Sequence, residues 1–265
     1  MEIATYVVEA AVEASHWWFV GRRRLFSDVI KSSGLPFDAE ILDVGTGTGS
    51  NLRMLRELGF SRVAGIDRSP EAVRYCAQKG FPNVRIGDVC DLPFEDDRFD
   101  FILATDIIEH IDDDGKAMQE LRRVLRPAGK MLLTVPAFMA LWGLQDDVSH
   151  HRRRYRLPEL VAKSNFAGFA AREAFYFNYL LFAPIFVCRR ALRLFKIRVA
   201  SENQINAKWL NWILLRLFLL DIKTARRLRP PFGVSILVVV TPIPQGSARI
   251  GFGRSASLPM GSGSA

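Results

Sequence analysis

The sequence predicts an α/β fold built on a mostly parallel sheet, and three observations carry that expectation. From residue 41 onward, short apolar runs alternate with amphipathic helical patterns. The first run, ILDV, passes into a turn with glycine at every second position: Gly45, Gly47 and Gly49. Acids stand at three consecutive runs, Asp43, Asp67 and Asp88. Strands separated by helices imply right-handed crossovers and a sheet covered on both faces.

Each element follows from local chemistry. Residues 1–32 read as helical, with HWWFVGRRR in the middle. ILDVG is the first strand, and SNLRMLRELG is a helix ended by Gly59. RVAGID is the second strand. The next helix opens with Ser69 as cap and Pro70 at its first position, and closes at Gly80. VRIGD is the third strand, and FDFILATDIIEHI is a fourth strand running into a loop. KAMQELRRVLRPAG is a helix stopped by Pro127 and Gly129, and KMLLTVPA is the fifth strand. Beyond residue 150 come a helix (PELVAKSNFAG), a strand (FAAREAFYF), two apolar helical segments at 179–195 and 208–228, and a last strand (GVSILVVVT). The tail from Gln245 is rich in Gly, Ser and Pro and is predicted to be disordered. The organisation expected is one domain over 1–244, with a helical cap at 1–38, an apolar and basic insert at 178–230, and a tail at 245–265.

With 265 residues, 49% of them hydrophobic, the chain can bury a sizeable core. Its three cysteines have no metal spacing, which suits a reducing compartment. The acidic N-terminal residues predict no leader peptide, and the expected location is cytoplasmic. Charge is divided unevenly. Residues 1–149 hold 17 Lys/Arg against 24 Asp/Glu, whereas residues 150–230 hold 17 against 4. Such a basic segment suits an anionic partner (a phosphate-bearing substrate, a membrane surface or nucleic acid) or a plain solvated face.

A glycine turn between strand and helix admits a ligand close to the backbone. A pyrophosphate fingerprint would space its glycines G-x-G-x-x-G, and this turn is G-x-G-x-G. The acid ahead of it, Asp43, would oppose a phosphate but can organise a cationic ligand. Asp67 is placed to bond two ribose hydroxyls, and Asp88 to accept from an adenine amino group. All three acids face the carboxyl edge of the predicted sheet, where such folds bind ligands.

DVGTGTGSN, GIDRSPEAV, GDVCDLPFEDDRFDFILATDIIEHI and LRRVLRPAGKMLLTVP together resemble the successive motifs of class I S-adenosylmethionine-dependent methyltransferases. The resemblance implies a Rossmann-like seven-stranded sheet whose last strand is antiparallel, with S-adenosylmethionine as cofactor. It places Asp43, Gly45, Gly47 and Gly49 around the methionine moiety, Asp67 at the ribose, and Asp88 and Val89 at the adenine, with Thr46 and Arg68 also among the cofactor-binding residues. Thr105, Asp106 and Ile107 line the pocket, and His110 matches a histidine common after the fourth strand. No metal-ligand spacing is visible in the sequence, and methyl transfer does not require one.

Two stretches, HWWFVGRRR and LWGLQDDVSHHRRRY, resemble a bacterial subgroup of these enzymes that pairs HWWF-x-GR with D-x4-H-x-RRY. Gln145 stands where that subgroup's pattern has a histidine. The resemblance implies that both stretches meet at the acceptor pocket. His151, with Asp146 five residues before it, is the candidate general base, and Tyr155 and His16 complete the catalytic candidates. Arg153 and Arg154 are candidates for gripping an anionic group on the acceptor, and Arg22 and Asp146 join them as acceptor-side candidates. Trp17 and Trp18 are read as a lid or a stacking surface, with ordinary packing as the competing account.

The insert is apolar and edged by bases: Arg189, Arg190, Arg193 and Lys196, then Lys223, Arg226, Arg227 and Arg229. Neither run reaches the length of a membrane span. Four accounts fit: a membrane-surface element, a dimer interface, an acceptor channel, or ordinary cover for the sheet. The expected acceptor is a small or lipid-linked molecule, methylated on oxygen, with peripheral membrane association and a monomer or homodimer. A soluble metabolite with the insert used for dimerisation, an RNA acceptor, or a non-catalytic binder are the alternatives. Nucleic acid is disfavoured because the basic charges are interleaved with long aliphatic runs.

Overall fold

A computed structural model describes residues 3–194 and 207–244. The N-terminal span is two helices rather than one, α1 (Ile3–Val12) and α2 (Trp17–Ser32). The break falls at His16, whose extended backbone and ring nitrogen cap α2, the ring accepting from Trp18 N at 3.4 Å. The chain then builds β1 (Ile41–Val44), α3 (Ser50–Glu57), β2 (Val63–Asp67), α4 (Pro70–Gln78), β3 (Val84–Ile86) and β4 (Phe99–Thr105). Ser69 occupies the cap position of α4, but its side chain makes no capping bond; Asp67 instead receives the Ser69 N–H.

A 3₁₀ turn at Ile108–His110 leads to α5 (Asp114–Val124), capped by Asp113. Pro127 and Gly129 do not stop this helix. It ends at Val124, and both residues lie within β5 (Leu125–Pro136), where the register against β4 shifts between Phe99 and Phe101. An irregular stretch, which β7 does not pair, accepts a proline that a regular ladder would not. After β5 come α6 (Leu144–Val148), α7 (Leu157–Phe166), β6 (Phe169–Phe177), α8 (Phe182–Leu194), α9 (Lys208–Leu228) and β7 (Ser235–Pro242). The basic residue Lys196, the last residue of the segment read as 179–195, and the tail from Gln245 lie outside the described residues.

The seven strands form one sheet in the order β3-β2-β1-β4-β5-β7-β6. β7 runs antiparallel to both β5 and β6, and the other paired neighbours are parallel. Strand alternation divides the core in two. Leu42, Val44, Ile102, Ala104, Met131 and Leu133 face α5 and α7. Ile41, Phe101, Leu103 and Leu132 face the other layer, built from α2, α3 and α9. Such period-two alternation on every central strand is what a sheet covered on both faces requires.

α9 covers the sheet by one stripe. Phe218, Ile222 and Ala225 are buried, and Phe218 stacks on Trp18 and meets Trp17 edge-on. Gly21 permits this contact: a Cβ there would lie 2.1 Å from the Phe218 ring. Asp221, fully buried within the same helix, accepts from Asn178 N at 2.7 Å and Leu180 N at 2.8 Å. It thereby satisfies the backbone leaving β6. The opposite face of α9 exposes Trp209, Trp212, Ile213, Leu217 and Leu220, with Trp209 at 67%. No helix among the described residues is long and apolar enough to cross a membrane.

Candidate active site

The carboxyl ends of β1, β2 and β4 open onto a cavity of about 1010 Å³. The turn after β1 lies at its floor. Gly45 has φ +71°, and a Cβ there would lie 1.8 Å from Ile107 Cδ1. Gly47 has φ +52°, yet a Cβ there would meet nothing within 4 Å, so its face is open space. One glycine serves close packing; the other leaves room beside the backbone. Asp67 joins this turn to α4, accepting from Gly47 N and Ser69 N, each at 2.8 Å.

Asp43 lies beneath the turn and is fully buried, so it does not line the cavity as the resemblance implied. Asn51 stands between, donating to Asp43 Oδ1 at 3.1 Å and to Thr105 Oγ1 at 3.0 Å. The second Asp43 oxygen has no partner. Burial pushes the Asp43 carboxyl up to about 7.

α1 lines the cavity with Tyr6 and Glu9, and Glu13 just beyond its end joins them. Lys79 Nζ reaches Glu13 Oε1 and Thr48 O, each at 2.7 Å, and Thr48 Oγ1 donates to Glu13. Arg23 adds bonds to Glu13 O at 2.6 Å and Ser50 Oγ at 3.0 Å. Glu9 is also pushed up to about 7, first by burial.

The far end is built from the turns after β4 and β5. Arg22 pairs with Asp106 at 2.6 Å, and Asp106 holds a left-handed backbone at φ +54°. Asp146 is fully buried and accepts from His151 Nδ1 at 2.7 Å, Arg154 at 2.8 and 2.9 Å, and Gly143 N at 2.7 Å. Burial alone would raise its carboxyl, but the bond from His151 and the Arg154 guanidinium hold it well below the usual range. His151 faces His110, ring centroids 4.6 Å apart at 83°. Burial, with His151 alongside, pushes His110 down to about 4. Glu109 beside it is fully buried, and neither carboxylate oxygen has a partner.

Most of the residues named from sequence meet in this cavity. Gly45, Thr46, Gly47, Asp67 and Arg68 line its cofactor end, with Asp88 and Val89 beside them. Thr105, Asp106, Ile107 and His110 line its middle, and Trp17, Trp18, Arg22, His151 and Arg154 complete it. Six others do not line it. Gly49 is the left-handed cap of α3, and His16 caps α2. Asp43 and Asp146 act from behind the lining residues. Arg153 turns away to Asp114 and the carbonyls of Ile111 and Asp112, so an anion grip by Arg153 is not supported. Tyr155 is fully buried with its hydroxyl on Asp114 at 2.6 Å, which removes it from the catalytic candidates. Asn51, Glu109 and the α1 residues Tyr6 and Glu9 were not foreseen. Their signals were faint: an amide just after the last glycine, and one acid inside the apolar run IIEHI.

Residues 42–133 match the family model described as a methyltransferase domain. The chain carries a class I S-adenosylmethionine-dependent methyltransferase domain. A methyltransferase of Bacillus subtilis named YcgJ, itself uncharacterised, is 31% identical over 153 residues, 54% of this chain and 58% of its own length. The 2-phytyl-1,4-naphtoquinone methyltransferase of Trichormus variabilis is 33% identical over 128 residues, covering 44% of this chain and 56% of the relative. The chain thus spans little more than half the length of these two relatives. The solved complex of the Haloferax volcanii Trm112 methyltransferase activator with a methyltransferase shares the fold at a TM-score of 0.60. It is 21% identical, with 92% of this chain and 97% of that one covered.

S-adenosylmethionine fits the methyltransferase domain's cavity on its donor set. The open face at Gly47 leaves room for it, Asp67 and Asp88 keep free lone pairs at the ribose and adenine ends, and Val89 and Ile66 offer apolar contact. The unpartnered oxygen of Asp43 lies behind the glycine turn, where the ionised form would supply negative charge toward a cationic ligand. A cationic ligand favours the ionised forms of Asp43 and Glu9. Both sit near 7 in the folded protein, so binding below that pH releases protons. Affinity for S-adenosylmethionine is therefore expected to rise with pH through about 7, by up to about tenfold per unit for each linked proton. Calorimetry in buffers of different ionisation enthalpy reads the protons directly. The neutral thioether product should release fewer, and Asp43→Asn should flatten the dependence; identical profiles for both ligands would contradict the linkage.

Proposed function

We propose that this protein is an S-adenosylmethionine-dependent methyltransferase acting on an oxygen of a small or lipid-linked acceptor at the inner face of the cytoplasmic membrane. One observation carries the acceptor class. The cavity lined by the cofactor-end residues and by His110 and His151 is also lined by Leu181, Ile185, Leu192, Leu210 and Leu214. These apolar residues are supplied by the insert. An apolar tail can lie along them while a polar head reaches the histidines.

The bound cofactor would supply a methyl group on a sulfonium, already electrophilic, and the chain's task is position and proton handling. Arg22, paired with Asp106 and lying over the Trp18 and Phe26 rings, closes the side of the cavity. Asp146 occupies Nδ1 of His151, which leaves Nε2 as the other ring nitrogen. The Glu109 carboxylate lies beside it. A hydroxyl oxygen that becomes methylated must lose its proton, and these are the groups at hand to ease that loss.

The membrane reading is supported by the outer face of α9. Trp209, Trp212, Ile213, Leu217 and Leu220 form one apolar stripe, with Lys208 and Arg216 on the same helix. Aromatic and basic residues on one helix suit an anionic interface. The phytyl-quinone activity in the name of the Trichormus relative points the same way.

The test is transfer of labelled methyl into an extract of source cells, followed by partition between organic and aqueous phases. Label in the organic phase is expected, as is co-flotation of the protein with anionic vesicles that is lost in high salt. Label confined to the aqueous phase, with no flotation, would replace this reading by a soluble acceptor.

A further inference from the structure

We propose that Glu109, His110 and His151 form a binding site for one divalent transition-metal ion, of the Zn²⁺ or Fe²⁺ kind, at the acceptor end of the cavity. Each of the three offers one ligand atom, and these atoms lie within 4.8 Å of one another. Two imidazoles and one carboxylate are a donor set of intermediate softness that suits such ions and leaves coordination positions open. All three residues line the cavity, so a molecule inside it can reach those positions.

Glu109 is the independent sign. A fully buried carboxylate with no partner on either oxygen is costly unless it is neutralised. The nearby guanidiniums of Arg22 and Arg154 act on it only through space, since their hydrogen bonds go to Asp106 and Asp146. A cation among the three side chains would satisfy it.

The surroundings are also those of a ligand set. A metal-bound histidine generally has its second ring nitrogen held by a carboxylate or a backbone carbonyl, which fixes the tautomer and aims the lone pair. His151 has Nδ1 on Asp146, which is itself locked by Arg154. The Ser149 backbone lies near enough to His110 to favour its charged form. The two segments are fastened at their backbones by Arg152 N, which donates to Glu109 O at 2.7 Å, and the second segment is folded on itself by His151 N to Asp146 O at 2.9 Å. The three side chains are thus brought together by the fold rather than by any sequence spacing.

The role assigned to the ion rests on the proposed oxygen acceptor. A hydroxyl oxygen taking an open coordination position becomes more acidic and releases its proton to solvent before it is methylated. The His151 lone pair is then spent on the ion rather than on that proton. Metal binding itself is independent of the acceptor.

The experiment uses the full chain, stripped with chelator and dialysed against Zn²⁺ and, separately, Co²⁺. One ion per chain is expected, with a visible Co²⁺ spectrum. Glu109→Gln, which keeps the side chain's size, and His151→Ala should each weaken Zn²⁺ binding at least about tenfold. Thermal unfolding of both variants without metal controls for the fold. Absence of stoichiometric binding, or unchanged affinity in both variants, would overturn the site. Binding is read with no acceptor present. A failed acceptor assignment therefore leaves the metal result standing, whereas stoichiometric binding with a transfer rate indifferent to metal would overturn the role but not the site.

Discussion

Asp67→Ala is expected to lower affinity for S-adenosylmethionine by about 100-fold or more. Two effects add. Gly47 N and Ser69 N each lose a charged acceptor at 2.8 Å, so the turn is less ordered in the free protein and part of the binding free energy goes to ordering it. The hydrogen bonds that the carboxylate would make to the ribose are lost as well. A total near 3 kcal/mol corresponds to about two decades in dissociation constant. Calorimetry measures the affinity, and thermal unfolding of the ligand-free protein separates loop disruption from lost ligand contacts. Asp67→Asn keeps one acceptor oxygen and should fall between. Unchanged affinity in the alanine variant would remove Asp67 from the cofactor's partners.

Asp146→Ala is expected to destabilise the fold by about 3–5 kcal/mol, measured by denaturant unfolding. The carboxylate is the partner of a buried arginine, and removing one half of such a pair leaves the other charge uncompensated. Arg189 also lies 3.9 Å away, so more than one cation depends on this acid. Its pKa is depressed in the folded state. Its contribution is therefore present above the ordinary aspartate value and is lost only as pH falls through the depressed one, in strong acid. A loss below about 1 kcal/mol would show that Arg154 finds another partner. Asp146→Asn, which keeps the shape without the charge, should recover only part of the loss.

The legible parts of the site are those fixed by strand ends. Asp67 and Asp88 follow parallel neighbouring strands, so any sequence that reveals those strands places both acids at one edge. Asp43 departs from the expected lining position because residue type does not disclose on which side of the sheet a strand residue points. It projects beneath the turn, and Asn51 intervenes. The run Arg153-Arg154-Tyr155 shows the same blindness at single-residue scale. Tyr155 pairs with Ala137 in a parallel bridge, so the chain there is extended and successive side chains diverge. Arg153 and Tyr155 both turn to Asp114, while Arg154 alone turns to Asp146. The break before α2 lacked glycine or proline to announce it. The meeting of Glu109 and His110 with His151 depends on a long-range backbone contact that no local pattern contains.

The fastening of α1 and α2 has a thermodynamic corollary. Glu13 ties the end of α1 to the cofactor turn through Lys79 and Thr48, and Trp17 N at the start of α2 donates to Asn211 of α9 at 2.7 Å. The segment from Glu13 to Trp17 is thus held at one end by the cofactor turn and at the other by the helix whose outer face is bare. An event at that face that changes cofactor affinity is itself changed by the cofactor, and by the same factor.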